Sequence, residues 1–103
     1  MSSHRILHLT LKREWFEMIE SGKKLEEYRK IKPYWSKRIG EIGRYNIVRF
    51  RHGYAKNART MDFELKEILI GLGAQAWGAP KSERVYILKL GRRLDTAQSK
   101  EEQ

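Results

Sequence analysis

Ser21-Gly22-Lys23-Lys24-Leu25-Glu26-Glu27-Tyr28-Arg29 is the stretch from which the rest of the chain is most easily read. Before it, Trp15, Phe16, Met18 and Ile19 recur at helical spacing between Lys12 and Ser21, and the adjacent pair Trp15 and Phe16 is expected in the core. Gly22 then stands where a left-handed residue closes such a helix. Leu25 to Arg29 reads as a short strand, with Leu25, Glu27 and Arg29 on one face and Glu26 and Tyr28 on the other. At a rise of ~3.3 Å per residue, the α-carbons of Glu27 and Arg29 lie roughly 6–7 Å apart, close enough to pair or to address one ligand.

Working outward, Leu7, Leu9 and Leu11 alternate with His8 and Thr10, the pattern of a half-buried strand over residues 5–11. Pro33 opens a brief amphipathic turn or helix through Ile39, and Gly40 and Gly43 mark the loop that follows. Residues 44–52 alternate again, with Asn46, Val48 and Phe50 opposite Tyr45, Ile47, Arg49 and Arg51, and residues 52–59 read as a loop. Apolar residues at Met61, Phe63 and Leu65 slip phase to Ile68 and Ile70. That slip predicts a bulge or two strands turning a corner, with a helix as the competing reading. Gly71 to Ser82 is rich in glycine and alanine, contains Pro80 and reads as irregular; Val85 to Leu90 reads as a last, well-buried strand. One domain is expected over residues 1–93, with residues 94–103 a flexible polar tail. The pattern predicts an α+β, mainly β fold: several short strands in a small, closed or half-closed barrel, since closure protects the edges of so small a sheet.

Composition narrows the function. The 103 residues contain no cysteine, which removes disulfide scaffolds, thiol nucleophiles and cysteine-ligated zinc together. No apolar run approaches the ~18 residues of a membrane span, and the amino-terminal residues lack the apolar stretch of a secretory leader, so the expected compartment is the cytoplasm. The net charge is +9, and its distribution is uneven: residues 23–59 hold twelve Lys or Arg against three acids, while the segments on either side balance. A polyanion is the natural partner for such a footprint, with an acidic protein as the alternative. Membrane phosphates would call for an amphipathic anchoring helix, which the sequence lacks. His4 and His8 would stand about 13 Å apart on a strand, and His52 stands alone, so neither a metal nor a cofactor is expected.

Further candidate residues follow the first strand-and-helix unit. Arg49 and Arg51 share a strand face, and the loop after them interleaves Tyr54, Lys56, Asn57 and Arg59 without an acid. Cations to hold a backbone, a ring to stack and an amide to read a base edge together suit a polynucleotide. Trp77, set among Gly73, Gly78 and Pro80, is placed either to roof a pocket or to plug the barrel.

Gly22, Lys24, Glu27 and Arg29 also match all four marked positions of the G-x-K-x-x-E-x-R signature of the ASCH domain, and over residues 5–93 the chain resembles that branch of the PUA-like superfamily. The resemblance implies a small PUA-like β-barrel of about five or six strands flanked by one or two helices, with a cleft beside the signature that takes RNA or a nucleotide-like ligand. Lys24, Glu27 and Arg29 become cleft residues, joined by Arg51. Lys24 and Arg29 would neutralise phosphate, and Glu27 would orient Arg29 or accept from a base edge.

The same resemblance raises two hydrolytic alternatives, each with Lys24 and Glu27 as catalytic residues. Small bacterial relatives cleave acyl groups from modified cytidine, using the signature lysine and a threonine two places before its final basic residue. Here Lys24 matches but Glu27 takes the threonine's place, and a carboxylate is not that hydroxyl nucleophile, so the mechanism does not carry over intact. Glu64 or Glu67 could supply the later acid. Other relatives cut RNA, and for that chemistry Glu27 could act as base, His52 or Tyr54 as acid, with Lys24 and Arg29 on the phosphate. Neighbouring cations should lower the pKa of Lys24 and neighbouring acids raise it, a balance set by three-dimensional placement.

Overall fold

Residues 5–40 and 43–94 are described by the computed structural model, so His4 and the tail expected after Leu94 lie outside the described residues. Alternation produces β1 (Ile6–Leu11), whose Leu7, Leu9 and Leu11 are buried and whose His8 faces outward. α1 (Arg13–Glu20) follows at once and drives Phe16 and Ile19 into the core. It ends in a Schellman motif: Gly22, at φ +86°, donates to the Ile19 carbonyl, and the Lys23 amide donates to that of Met18. The chain then reverses into β2 (Glu26–Lys30), and α2 (Pro33–Ile39) starts with Pro33 in its first turn, where a missing N–H costs nothing.

β3 (Ile47–His52), β4 (Thr60–Leu72) and β5 (Arg84–Arg93) complete a five-stranded sheet in the order β1-β3-β4-β5-β2. β1 and β3 run parallel, and the other three pairs are antiparallel. The fold is α+β, mainly β, and the sheet curls into a half-barrel around a core that includes Leu7, Phe16, Ile39, Val48, Phe50, Met61 and Leu88. β4 is one long strand with register shifts between Phe63 and Leu65 and between Leu65 and Glu67. The phase slip therefore marks a bulged bend, and the competing helix does not form. Gly71 and Leu72, read as the start of an irregular segment, instead extend β4; the irregular part contains a 3₁₀ turn at Gln75–Trp77.

β5 is covered on both faces. Tyr86 and Leu88 join the main core, while Val85 and Ile87 pack with Tyr28 and Ala79 beneath Trp77. Burial on both sides is why this strand reads as a continuous apolar run. Among the described residues β1 and β2 form no ladder with each other, so the half-barrel has an open seam between its two edge strands. The Arg29 guanidinium links the two edges across that seam, its Nη2 donating to the Thr10 carbonyl at 3.3 Å.

Candidate functional site

The seam holds a cleft of about 350 Å³, within the usual range for small-ligand sites. Its floor is the signature stretch. Because the Schellman turn folds the Lys23 and Lys24 amides back onto the Met18 carbonyl, the Lys24 side chain is sent inward under the 3₁₀ turn. Only 2% of Lys24 is exposed. Its ammonium donates to the Trp77 carbonyl, stands 3.2 Å from Glu27 Oε1, and lies 5.0 Å and 4.9 Å from the ring centres of Trp15 and Tyr28. Burial holds the Lys24 amine below the ordinary lysine range; the charge and hydrogen bond of Glu27 push it back up, and Arg29 pushes it further down.

Glu27, itself 6% exposed, bridges two cations. Its second oxygen accepts from Arg29 Nη2 at 2.9 Å, the same-face pairing that the strand spacing foretold. The Arg29 guanidinium lies 4.9 Å from the Trp35 ring, and its Nε is buried without a hydrogen-bond partner. Two cations around one carboxylate leave the floor with an excess positive charge.

The walls are aromatic. Trp15, Tyr28, Trp77 and, at the rim, Tyr54 line the cleft. Tyr28 is fixed by donating to Glu26 Oε1 at 2.8 Å while its oxygen accepts the Ala74 amide at 3.0 Å. Burial foremost pushes its phenol up to about 12. Glu26, whose burial alone would raise it, is held below the carboxylate range by hydrogen bonds from Lys89 and Tyr28. Gly78, at φ +100°, lets the chain pass close over Trp15: a Cβ there would stand 3.0 Å from the indole.

The other residues singled out in the sequence divide. Tyr54 is 88% exposed and overhangs the cleft. Arg51 serves it indirectly, donating to the carbonyls of Gly53 and Ala55 and so fixing the loop that carries Tyr54. Arg49 makes a bidentate pair with Asp62, its neighbour across β3 and β4, at 2.7 and 2.8 Å. Arg59 pairs bidentately with Glu20 and lies over Phe16. Neither Arg49 nor Arg59 lines the cleft, and the exposed Lys56 and Asn57 stand outside it as well. His52 packs against Phe16 with ring centres 5.1 Å apart. Glu64 accepts from the Arg92 amide, away from the cleft.

Thr10, Lys12, Trp15 and Tyr28 line the cleft without having been singled out. Trp15 was expected to join Phe16 in the core, yet Phe16 alone goes inward. The available signal was the pairing itself: two consecutive helical residues point about 100° apart and rarely share one face.

Among the described residues there is no group of three or more His, Asp or Glu arranged to hold a metal, and no helix is long and apolar enough to cross a membrane. Compared with known proteins, the chain matches no family model, no curated protein and no solved structure. Its functional reading therefore rests on the geometry and on the signature residues.

Proposed function

We propose that the seam cleft binds a nucleotide, presented free or as part of a single-stranded RNA, with a base between the aromatic walls and its phosphate at Arg29. The observation that carries this reading is the convergence of Trp15, Tyr28 and Trp77 on one cleft that the Arg29 guanidinium also lines. Bases stack on such walls for about 1–3 kcal/mol each. Arginine's planar fork suits phosphate, and anions settle where donors already converge. Lys24 differs from its expected part: its ammonium is engaged by Trp77 and Glu27, so it shapes the floor and sets the field while Arg29 meets the ligand. The ASCH-like signature and the basic surplus of residues 23–59 agree with this reading. The test is affinity for a short single-stranded RNA across a salt series. Affinity is expected to fall by at least about ten-fold between low and moderate salt; salt-independent affinity would count against phosphate contact.

A second reading, hydrolysis of RNA or of an acylated cytidine, draws support from the lowered pKa of Lys24 beside Glu27, a pairing suited to proton transfer. Incubation with RNA and with N4-acetylcytidine, alongside a Lys24→Ala control, separates turnover from binding.

A further inference from the structure

Arg29 is flanked by two hollows. Beyond the cleft just described, a second one of about 510 Å³ opens along the same seam between β1 and α2. Both are lined by Thr10, Arg29 and Tyr54, so they adjoin at the guanidinium as two parts of one groove. The second hollow repeats the chemistry of the first: an indole from Trp35, a phenol from Tyr34, a cation from Lys32 and a polar ring from His8. Trp35 and Tyr34 meet edge to face at 4.8 Å, and the Arg38 guanidinium lies 4.6 Å from the centre of the Tyr34 ring. All three tryptophans of the chain thus lie along the seam, two on one side of Arg29 and one on the other. On β1, Thr10 lines both hollows and His8 only the second, a step of roughly 6–7 Å along the strand edge.

Resting on the nucleotide-binding reading, we infer that the groove takes two consecutive nucleotides of a single strand, one base in each hollow, with the phosphate that links them at Arg29. A mononucleotide fills one aromatic hollow and leaves the other empty. A linked pair satisfies both stacking surfaces and places its one internal charge beside the Arg29 guanidinium, which lines both hollows. Lys32, at the outer end, suits the next phosphate of a longer strand. Bases held apart in separate hollows cannot remain paired in a duplex, so the groove selects unpaired strands.

The test compares the four nucleoside 5′-monophosphates with the corresponding ribodinucleotides and one deoxydinucleotide, by calorimetry or tryptophan quenching. It uses the full chain and its Tyr34→Ala and Lys32→Ala variants. Tyr34 is 54% exposed and Lys32 is exposed, so both variants should keep the fold, which circular dichroism checks. A ribodinucleotide is expected to bind at least about ten-fold tighter than either mononucleotide. Tyr34→Ala should lower dinucleotide affinity by a clearly larger factor than mononucleotide affinity and so remove most of that advantage. An equal advantage for the deoxydinucleotide supports the two-base groove and shows that the 2′-hydroxyl is not read. Mononucleotide binding with no gain from the second nucleotide, or equal losses for both ligands in Tyr34→Ala, overturns the inference and leaves the nucleotide cleft standing. Failure of every ligand to bind overturns both.

Discussion

The Lys24 ammonium and the Glu27 carboxylate lie 3.2 Å apart with side-chain exposures of 1% and 8%. Their environments are unequal. Glu27 has a second cation in Arg29, whereas within the described residues Lys24 has only Glu27 as an ionic partner, with the Trp77 carbonyl and two aromatic rings completing its cage. Removing Glu27 therefore orphans two cations, while removing Lys24 leaves a carboxylate that still has a partner. Glu27→Gln is expected to destabilise by about 3 kcal/mol and the near-isosteric Lys24→Met by clearly less. Urea denaturation of both variants and of the double mutant checks this; the reverse order would contradict the shared-carboxylate arrangement.

Alkaline pH should act on the two cage residues with opposite sign. The Lys24 amine titrates lower in the folded chain than in the unfolded one. Between those values the unfolded chain holds more protons, so stability rises with pH until the ordinary lysine pKa is passed. Tyr28 is raised to about 12. Its contribution is full below the ordinary tyrosine value of about 10 and is lost as pH climbs through the folded value. The stability difference between the natural chain and Lys24→Met should accordingly grow in favour of the natural chain with rising pH. The difference from Tyr28→Phe should shrink above about pH 10. Denaturation midpoints from pH 8 upward read both slopes, and slopes of one sign would be inconsistent with this placement.

Glycines 22 and 78 both occupy left-handed backbone, yet they should respond differently to a methyl group. Nothing lies within 4 Å of a Cβ at Gly22, so Gly22→Ala meets backbone strain alone, about 1–2 kcal/mol, part of which Gly22→Asn should recover. At Gly78 the added carbon also meets the Trp15 ring at 3.0 Å. Gly78→Ala is therefore expected to cost more stability and to reduce ligand affinity, because it displaces a cleft wall. Thermal melts with parallel nucleotide titrations distinguish the two, and equal effects on affinity would contradict the position given to Trp15.

Much of the fold was legible because its causes are local. Gly22 as a helix stop, Pro33 as a helix start, the alternation in β1 and the phase slip in β4 each depend on residues within a few positions of one another. The Glu27–Arg29 pair is legible for the same reason, since two residues on one strand share a face whatever surrounds them. What was hidden depends on distant partners. The Trp77 carbonyl that holds Lys24 is 53 residues away, and Asp62 meets Arg49 only through the register of β3 on β4. No local pattern distinguishes an arginine with such a partner from one without, which is why Arg49 and Arg59 resembled binding residues. Where the seam opens, between β1 and β2, was hidden too, because strand pairing order leaves no trace in periodicity.

Those ion pairs make a prediction of their own. Arg49 and Arg59 are each held by a bidentate carboxylate outside the cleft, so Arg49→Ala and Arg59→Ala should change RNA affinity by no more than about two-fold after correction for net charge. Arg29→Gln should lower it by about ten-fold or more, the usual worth of a charge-assisted hydrogen bond. Fluorescence anisotropy with a labelled oligonucleotide measures all three. A larger loss at Arg49 than at Arg29 would move the binding surface to the outer face of β3.

The most direct measurement is a ¹⁵N-resolved NMR titration of the full chain with a nucleoside monophosphate at low salt, following the backbone amides and the three indole N–H signals. Saturable shifts are expected at Thr10, Lys24 to Arg29, Tyr54 and Trp77 and at the Trp15 indole, with Arg49 and Asp62 unmoved. Shifts confined to β3, β4 and the Lys56–Arg59 loop, or no shifts at millimolar ligand, would contradict the assignment of the seam as the binding cleft.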